Sequence, residues 1–248
     1  MITRIHSWHG RAVKLVAILR HPVYRRALRL GVAASTEHAD TPLPYDYATV
    51  VDVGANRGQF ALLAATRFPR ARIICFEPLE TARATIDRLF TDDNRVDVVG
   101  VAVAASARPS HLFVSRSDDS SSLLAPTDLQ TSTFRDTEVV EEIRVTTERL
   151  DVLLDRDSLV RPTLLKIDAQ GAELEVLSGA AGVLDNVDTI LVECSFAEFY
   201  SGQSLADDVI RFLHPCGFRL TALMSAYADA SGQVLQADLV FAREPTKI

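Results

Sequence analysis

The apolar run Val50-Val51-Asp52-Val53 stops at Gly54 and passes through Ala55-Asn56-Arg57-Gly58 into Gln59-Phe60. A short apolar run broken by glycine reads as a buried strand entering a tight turn, and residues 59 to 67 then read as a helix ended by Phe68-Pro69. Strand, glycine turn and helix in that order place unpaired helix N–H groups at the lip of a crevice. Gly54 permits the tight turn, and Gly58 permits close approach of a ligand or of the helix to the strand. A second buried strand, residues 72 to 76, ends at Glu77, nineteen residues after Gly58. An acidic residue about 20 positions beyond such glycines is where nucleoside-binding folds grip ribose hydroxyls. Its two oxygens accept both the 2′ and 3′ hydroxyl protons. The same turn with Glu77 in solvent, serving only to pack a helix, is the alternative.

The spacing argues against a pyrophosphate cofactor. Asn56 stands where the G-x-G-x-x-G pattern needs its second glycine, and no Tyr-x-x-x-Lys pair is present. S-adenosylmethionine has ribose and adenine but no phosphate, and Asp52 beside the turn suits its cationic amino-acid end. Asn56, Phe60 and Pro78 complete the expected donor contacts around Gly54, Gly58 and Glu77.

Strands and helices continue to alternate. Strands are expected at 96–103, 164–167, 189–193, 218–223 and 238–241, with helices at 81–90, 172–177 and 204–213. That rhythm predicts an α/β fold with a doubly wound, mostly parallel sheet and helices on both faces. Residues 104–149 depart from it. They read as a loop-rich insertion with short strands at 112–115 and 139–147, lying beside the ligand crevice. Its serines, Ser120 to Ser122, either bind a polyhydroxylated acceptor or form a plain polar loop. Residues 1–45 read as an N-terminal helical extension and linker, with helical spacing over 11–30 interrupted at His21-Pro22, and residues 46–248 form the main domain.

The net charge of −7 excludes a general nucleic-acid binder, which needs a basic footprint. The first 36 residues carry no Asp or Glu but seven basic residues, Arg4 to Arg29. They form either a solvated face or a surface for peripheral contact with a membrane or a partner, and their apolar positions suit a homodimer. Cys75, Cys194 and Cys216 are odd in number and form no CxxC pair, so reduced thiols and a cytoplasmic setting are expected.

Four stretches make this chain similar to the FkbM-type methyltransferases: residues 52–60; Phe76-Glu77-Pro78; Lys166-Ile167-Asp168-Ala169-Gln170-Gly171-Ala172-Glu173, continuing to Gly179; and Leu191-Val192-Glu193. The resemblance implies a seven-stranded, Rossmann-like class I methyltransferase sheet and S-adenosylmethionine as donor. It also implies O-methylation of a sugar, glycolipid or polyketide. Methylation of nitrogen or carbon, and a non-catalytic nucleoside-binding module, are the alternatives. Gln170 departs from the family, which often has Glu there.

Asp168 ends the fourth strand and faces the crevice with Gly54 and Glu77; Glu193 ends the next. An alcohol is a poor nucleophile, so its proton must pass to a general base or its oxygen to a metal. Asp168 and Glu193 are the expected pair, as catalytic carboxylates or as hard oxygen ligands for Mg²⁺. Histidine is the other candidate base: His38, His111 and His214 are equal by chemistry, and His214, just before Pro215, serves either as that base or at the end of its helix.

Overall fold

The computed structural model describes residues 21–244. Its strands are β1 (Thr49–Val53), β2 (Arg72–Phe76), β3 (Val96–Val99), β4 (Ala102–Val103), β5 (Arg108–Ser115), β6 (Val139–Glu148), β7 (Thr163–Ile167), β8 (Thr189–Ser195), β9 (Phe218–Ala228) and β10 (Val234–Arg243). Its helices are α1 (Pro22–Leu28), α2 (Gln59–Arg67), α3 (Glu80–Leu89), α4 (Asp128–Thr133), α5 (Leu150–Leu153), α6 (Glu173–Gly179) and α7 (Ala206–Leu213). The N-terminal helical spacing expected before residue 21 lies outside the described residues.

Every residue of β1 is buried, as a central strand covered on both faces must be. β2 pairs with one edge of it and β7 with the other, both parallel. The full sheet has seven strands in the order β3-β2-β1-β7-β8-β10-β9. β10 runs antiparallel to both its neighbours, and the other strand pairings are parallel. Side chains alternate across the pleat. Val51 and Val53 enter the core with Val176, Leu177, Val209 and Leu213 of α6 and α7, while Val50 enters the opposite core with Phe60, Leu63 and Ala64 of α2.

The strand register builds the site. Val53 aligns with Phe76 on one side and Ile167 on the other, and Ile167 aligns with Val192. The next residue along each strand direction is therefore Gly54, Glu77, Asp168 or Glu193, and all four stand on one rim. Because β10 is antiparallel, its early residue Asp238 lies opposite Glu193 at that same rim.

Residues 104–149 hold strands over both expected segments, 112–115 and 139–147, the first of them longer than expected. β5 and β6 are long antiparallel strands, and β4 adds to β6 in parallel to form a second, three-stranded sheet. The expected single strand over 96–103 is thus divided between two sheets. Glu142 and Arg144 alternate with Ile143 and Val145 along β6, which gives the strand one solvated and one packed face. The small sheet packs on the start of α3 through Leu112, Ile143 and Val145 against Leu79 and Ala82. No helix among the described residues is long and apolar enough to cross a membrane.

Candidate functional site

A cavity of about 1040 Å³ opens along the rim where β2, β1, β7, β8 and β10 end or turn back. Gly54 makes the rim turn possible. Its φ is +74°, and a Cβ there would lie 1.9 Å from the carbonyl oxygen of Asp168. Only glycine lets these two rim loops pass so closely. Gly58 also has a positive φ, but it faces Ile86 and Leu89 of α3 and Phe90 just after it. It packs helix on helix and is not part of the cavity wall.

Glu77 is 5% exposed, yet its carboxylate is on the cavity wall. The backbone N–H of Asn56 donates to Oε2 at 2.8 Å, and that of Leu79 donates to Oε1 at 2.8 Å. Each oxygen keeps lone-pair capacity after these bonds. Burial raises the Glu77 pKa to about 7, against the lowering effect of the two amides. Asn56 and Pro78 line the cavity beside it. The Asn56 contribution to Glu77 is its backbone, since its side-chain oxygen accepts from the Arg57 N–H at 2.6 Å.

Lys166 organises the centre. Its ammonium lies 3.2 Å from Asp52 Oδ1, 3.6 Å from Asp168 Oδ2 and 3.3 Å from the carbonyl oxygen of Gly54. Burial opposes its charge, but the carboxylates of Asp52 and Asp168 more than offset this and raise its pKa. Asp52 is fully buried behind this lysine and is not on the cavity wall. The sequence suits Asp52 to the donor's cationic amino-acid end, but Asp52 and Lys166 are register partners on β1 and β7, so the lysine meets this carboxylate directly and itself lines the cavity.

Asp168 and Glu193 do come together, and Gln170 joins them. Its side-chain amide donates to Asp168 Oδ1 at 2.7 Å and to Glu193 Oε2 at 2.9 Å. The Gln170 side-chain Oε1 accepts from the Tyr200 hydroxyl at 2.8 Å, which fixes the amide's orientation. Burial, with Asp168 and Asp238 nearby, holds the Glu193 pKa well above the usual range. The expected Mg²⁺ does not fit this donor set. One amide nitrogen already bonds both carboxylates, an ammonium flanks Asp168, and no group of three or more His, Cys, Asp or Glu suited to a metal occurs among the described residues.

The histidines separate. His214 caps the end of α7, exposed. That helix starts beyond β8 at the rim and runs back to the start of β9, so His214 sits at the far edge of the sheet, off the cavity wall. His111 is on the exposed small sheet, 3.5 Å from Glu142. His38 is on the cavity wall, its ring edge-on to Phe60 at 5.7 Å between centroids. Ser121 and Ser122 line the cavity, and the Ser122 hydroxyl donates to the backbone carbonyl oxygen of Gln170 at 2.6 Å. Sequence reasoning missed Asp238, the lysine's central place and the bridge from Arg57 to Asp118, at 2.6 Å, between glycine turn and insertion. Only the K-I-D-x-Q spacing marked Lys166 and Gln170 in advance.

The Methyltransferase FkbM domain matches residues 52–220, more than half of the chain. The chain belongs to the FkbM methyltransferase family. Among its relatives, the AMB antimetabolite synthetase AmbE of Pseudomonas aeruginosa is 28% identical over 218 residues, covering 76% of this chain and 10% of AmbE. The 2-O-methyltransferase NoeI of Sinorhizobium fredii is 28% identical over 160 residues, 62% of this chain and 66% of NoeI. The hexuronic acid methyltransferase AglP of Haloferax volcanii is 28% identical over 142 residues, 57% of this chain and 54% of AglP. The chain thus spans a tenth of AmbE and between about half and two-thirds of the other two. A crystal structure of an FkbM methyltransferase from Methylobacillus flagellatus shares the fold, with a TM-score of 0.53 at 17% identity over 92% of this chain and 53% of that one. In this FkbM chain the matched segment runs from β1 into β9, so it includes the rim residues Gly54, Glu77, Asp168 and Glu193 but not Ser225 on β9 or Asp238 on β10.

Proposed function

We propose that this chain transfers the methyl group of S-adenosylmethionine to a hydroxyl of a small, polyhydroxylated acceptor of the sugar type. One observation carries the reading: a buried carboxylate, Glu77, is clamped by two amides at the lip of a cavity that also takes in the Gly54 turn. That is the geometry that holds ribose hydroxyls. The acceptor class rests on NoeI and AglP, named for 2-O-methylation and for a hexuronic acid. The cavity lies at the upper end of the roughly 300–1,000 Å³ usual for ligand pockets, which gives room for donor and acceptor together.

The donor supplies an electrophilic methyl carbon whose bond to sulfur breaks as the acceptor oxygen attacks, leaving a neutral thioether. Glu77 seats the ribose. Phe60 and Pro78 supply apolar wall, and Asn56 fixes Glu77 through its backbone. Asp168, held with Glu193 by the Gln170 amide, puts a carboxylate on the crevice rim that favours a cationic donor. Alignment and electrostatics of this kind are what a displacement at carbon requires from the protein.

Calorimetry with S-adenosylhomocysteine tests the reading. Binding by the wild-type protein and at least tenfold weaker binding by Glu77→Ala are expected. A folded wild-type protein that takes up no S-adenosylhomocysteine would falsify it. A polar extract of the source organism, incubated with methyl-labelled donor, then reports the acceptor by mass spectrometry.

A further inference from the structure

We infer that His38, backed by Asp238, is the general base that takes the proton from the acceptor hydroxyl, a role that rests on the methyl-transfer reading above. His38 comes from a short turn before β1, and Asp238 comes from the antiparallel strand β10. The two meet on the cavity wall, with His38 Nδ1 3.7 Å from Asp238 Oδ2 and both side chains nearly buried. Nδ1 is buried and has no hydrogen-bond partner. An orphaned ring nitrogen beside a carboxylate has an evident use. A small shift brings Nδ1–H onto Asp238, which fixes the tautomer and leaves Nε2 as the free base. Such contacts are often long until ligands bind.

The position along the rim agrees. The strand order places Glu77, on β2, and Asp238, on β10, on opposite sides of β1, β7 and β8. A donor held at its ribose by Glu77 leaves the β8–β10 end of the cavity to the acceptor. His38 and Asp238 stand there. The other candidate bases are already engaged. Asp168 shares its oxygens between the Gln170 amide and the Lys166 ammonium, and Glu193 is bound by the same amide. Burial also favours the protonated form of Glu193.

In the step, the acceptor O–H bond breaks and its proton goes to His38 Nε2. The oxygen forms a bond to the methyl carbon, and the carbon–sulfur pair leaves on sulfur. The imidazolium is then stabilised by Asp238. The charged groups acting on His38 are Asp238 from β10 and Asp52 from β1, and Arg67 of α2 donates to the His38 carbonyl at 3.2 Å; Asp238 in turn has the Ser225 side chain of β9 as a hydrogen-bond partner and feels Asp168 and Lys166 from β7 and its loop.

The test compares wild type, His38→Gln and Asp238→Asn. Each is measured for S-adenosylhomocysteine affinity and for label transfer from methyl-labelled donor into the source-organism extract between pH 5.5 and 9. Expected are affinities within about threefold of wild type, transfer reduced about 10²- to 10⁴-fold in His38→Gln, and loss of the acidic limb of the pH–rate profile in that variant. Asp238→Asn is expected to lose at least tenfold in transfer, and it decides the matter should His38→Gln not fold. Transfer within threefold of wild type in either folded variant, a retained acidic limb in His38→Gln, or loss of S-adenosylhomocysteine binding in step with transfer overturns the base. A wild-type protein that binds S-adenosylhomocysteine and labels nothing overturns the methyl-transfer reading instead.

Discussion

The side-chain amide of Gln170 donates to Glu193 Oε2 at 2.9 Å while donating to Asp168 at 2.7 Å, so one neutral donor bridges two acidic neighbours. Gln170→Glu replaces that donor by a third carboxylate. The variant is expected to lose about 1–3 kcal/mol of stability. The loss should be larger at pH 8 than at pH 5, because the new group can hold a proton at the lower pH and keep one bond. Urea denaturation at both pH values checks this, and an unchanged midpoint at pH 8 contradicts it.

Glu77 has a folded-state pKa of about 7 against an ordinary 4.5, with burial as the main cause. Its protonated form is therefore favoured by the fold. The stability it contributes is complete below about pH 4.5 and is lost as pH rises through 7. Glu173, raised to about 7 by the same cause, acts in the same direction. Ribose hydroxyls donate to the ionised form, so S-adenosylhomocysteine binding must release the proton. Affinity is expected to rise roughly tenfold from pH 6 to pH 8 in wild type and to stay flat, and weaker, in Glu77→Gln. Calorimetry across that range decides.

Gly54→Ala puts a methyl where 1.9 Å separates it from the Asp168 carbonyl, at a φ of +74°. The two rim loops must part. Thermal unfolding at lower temperature and S-adenosylhomocysteine affinity reduced at least tenfold are expected. Gly202→Ala, also at positive φ but with open space around it, serves as the control for backbone strain alone.

Lys166→Met leaves the fully buried Asp52 without its cation, 3.2 Å away in the wild type. Breaking a buried pair from one side costs about 3–5 kcal/mol. The double variant Asp52→Asn/Lys166→Met removes both charges and is expected to recover much of that loss. Equal denaturation midpoints for the single and double variants would contradict the pairing.

The chain's local patterns fixed much of this in advance. A glycine needed at a tight turn, an apolar run that must be buried, and an acid at a strand end are read from stretches of about 20 residues. Residues 59–67 and 72–76 fold as their periodicity indicates, and Glu77, Asp168 and Glu193 reach one rim because parallel strands in register end together. In the small sheet the segments 112–115 and 139–147 are legible as strands, but their pairing and the addition of β4 are not, since those contacts are non-local.

Strand direction and side-chain partnership came only with the tertiary structure. Nothing local says that β10 runs antiparallel, yet that reversal alone sets Asp238 opposite Glu193 and beside His38, two hundred residues apart in the chain. Nor does spacing tell that Lys166 meets Asp52 directly and itself lines the cavity, or that His214 ends at the far edge. Local sequence sets backbone preference within an element. Which elements become neighbours is decided by burying all their apolar faces at once, and the site's electrostatics follow from that global packing.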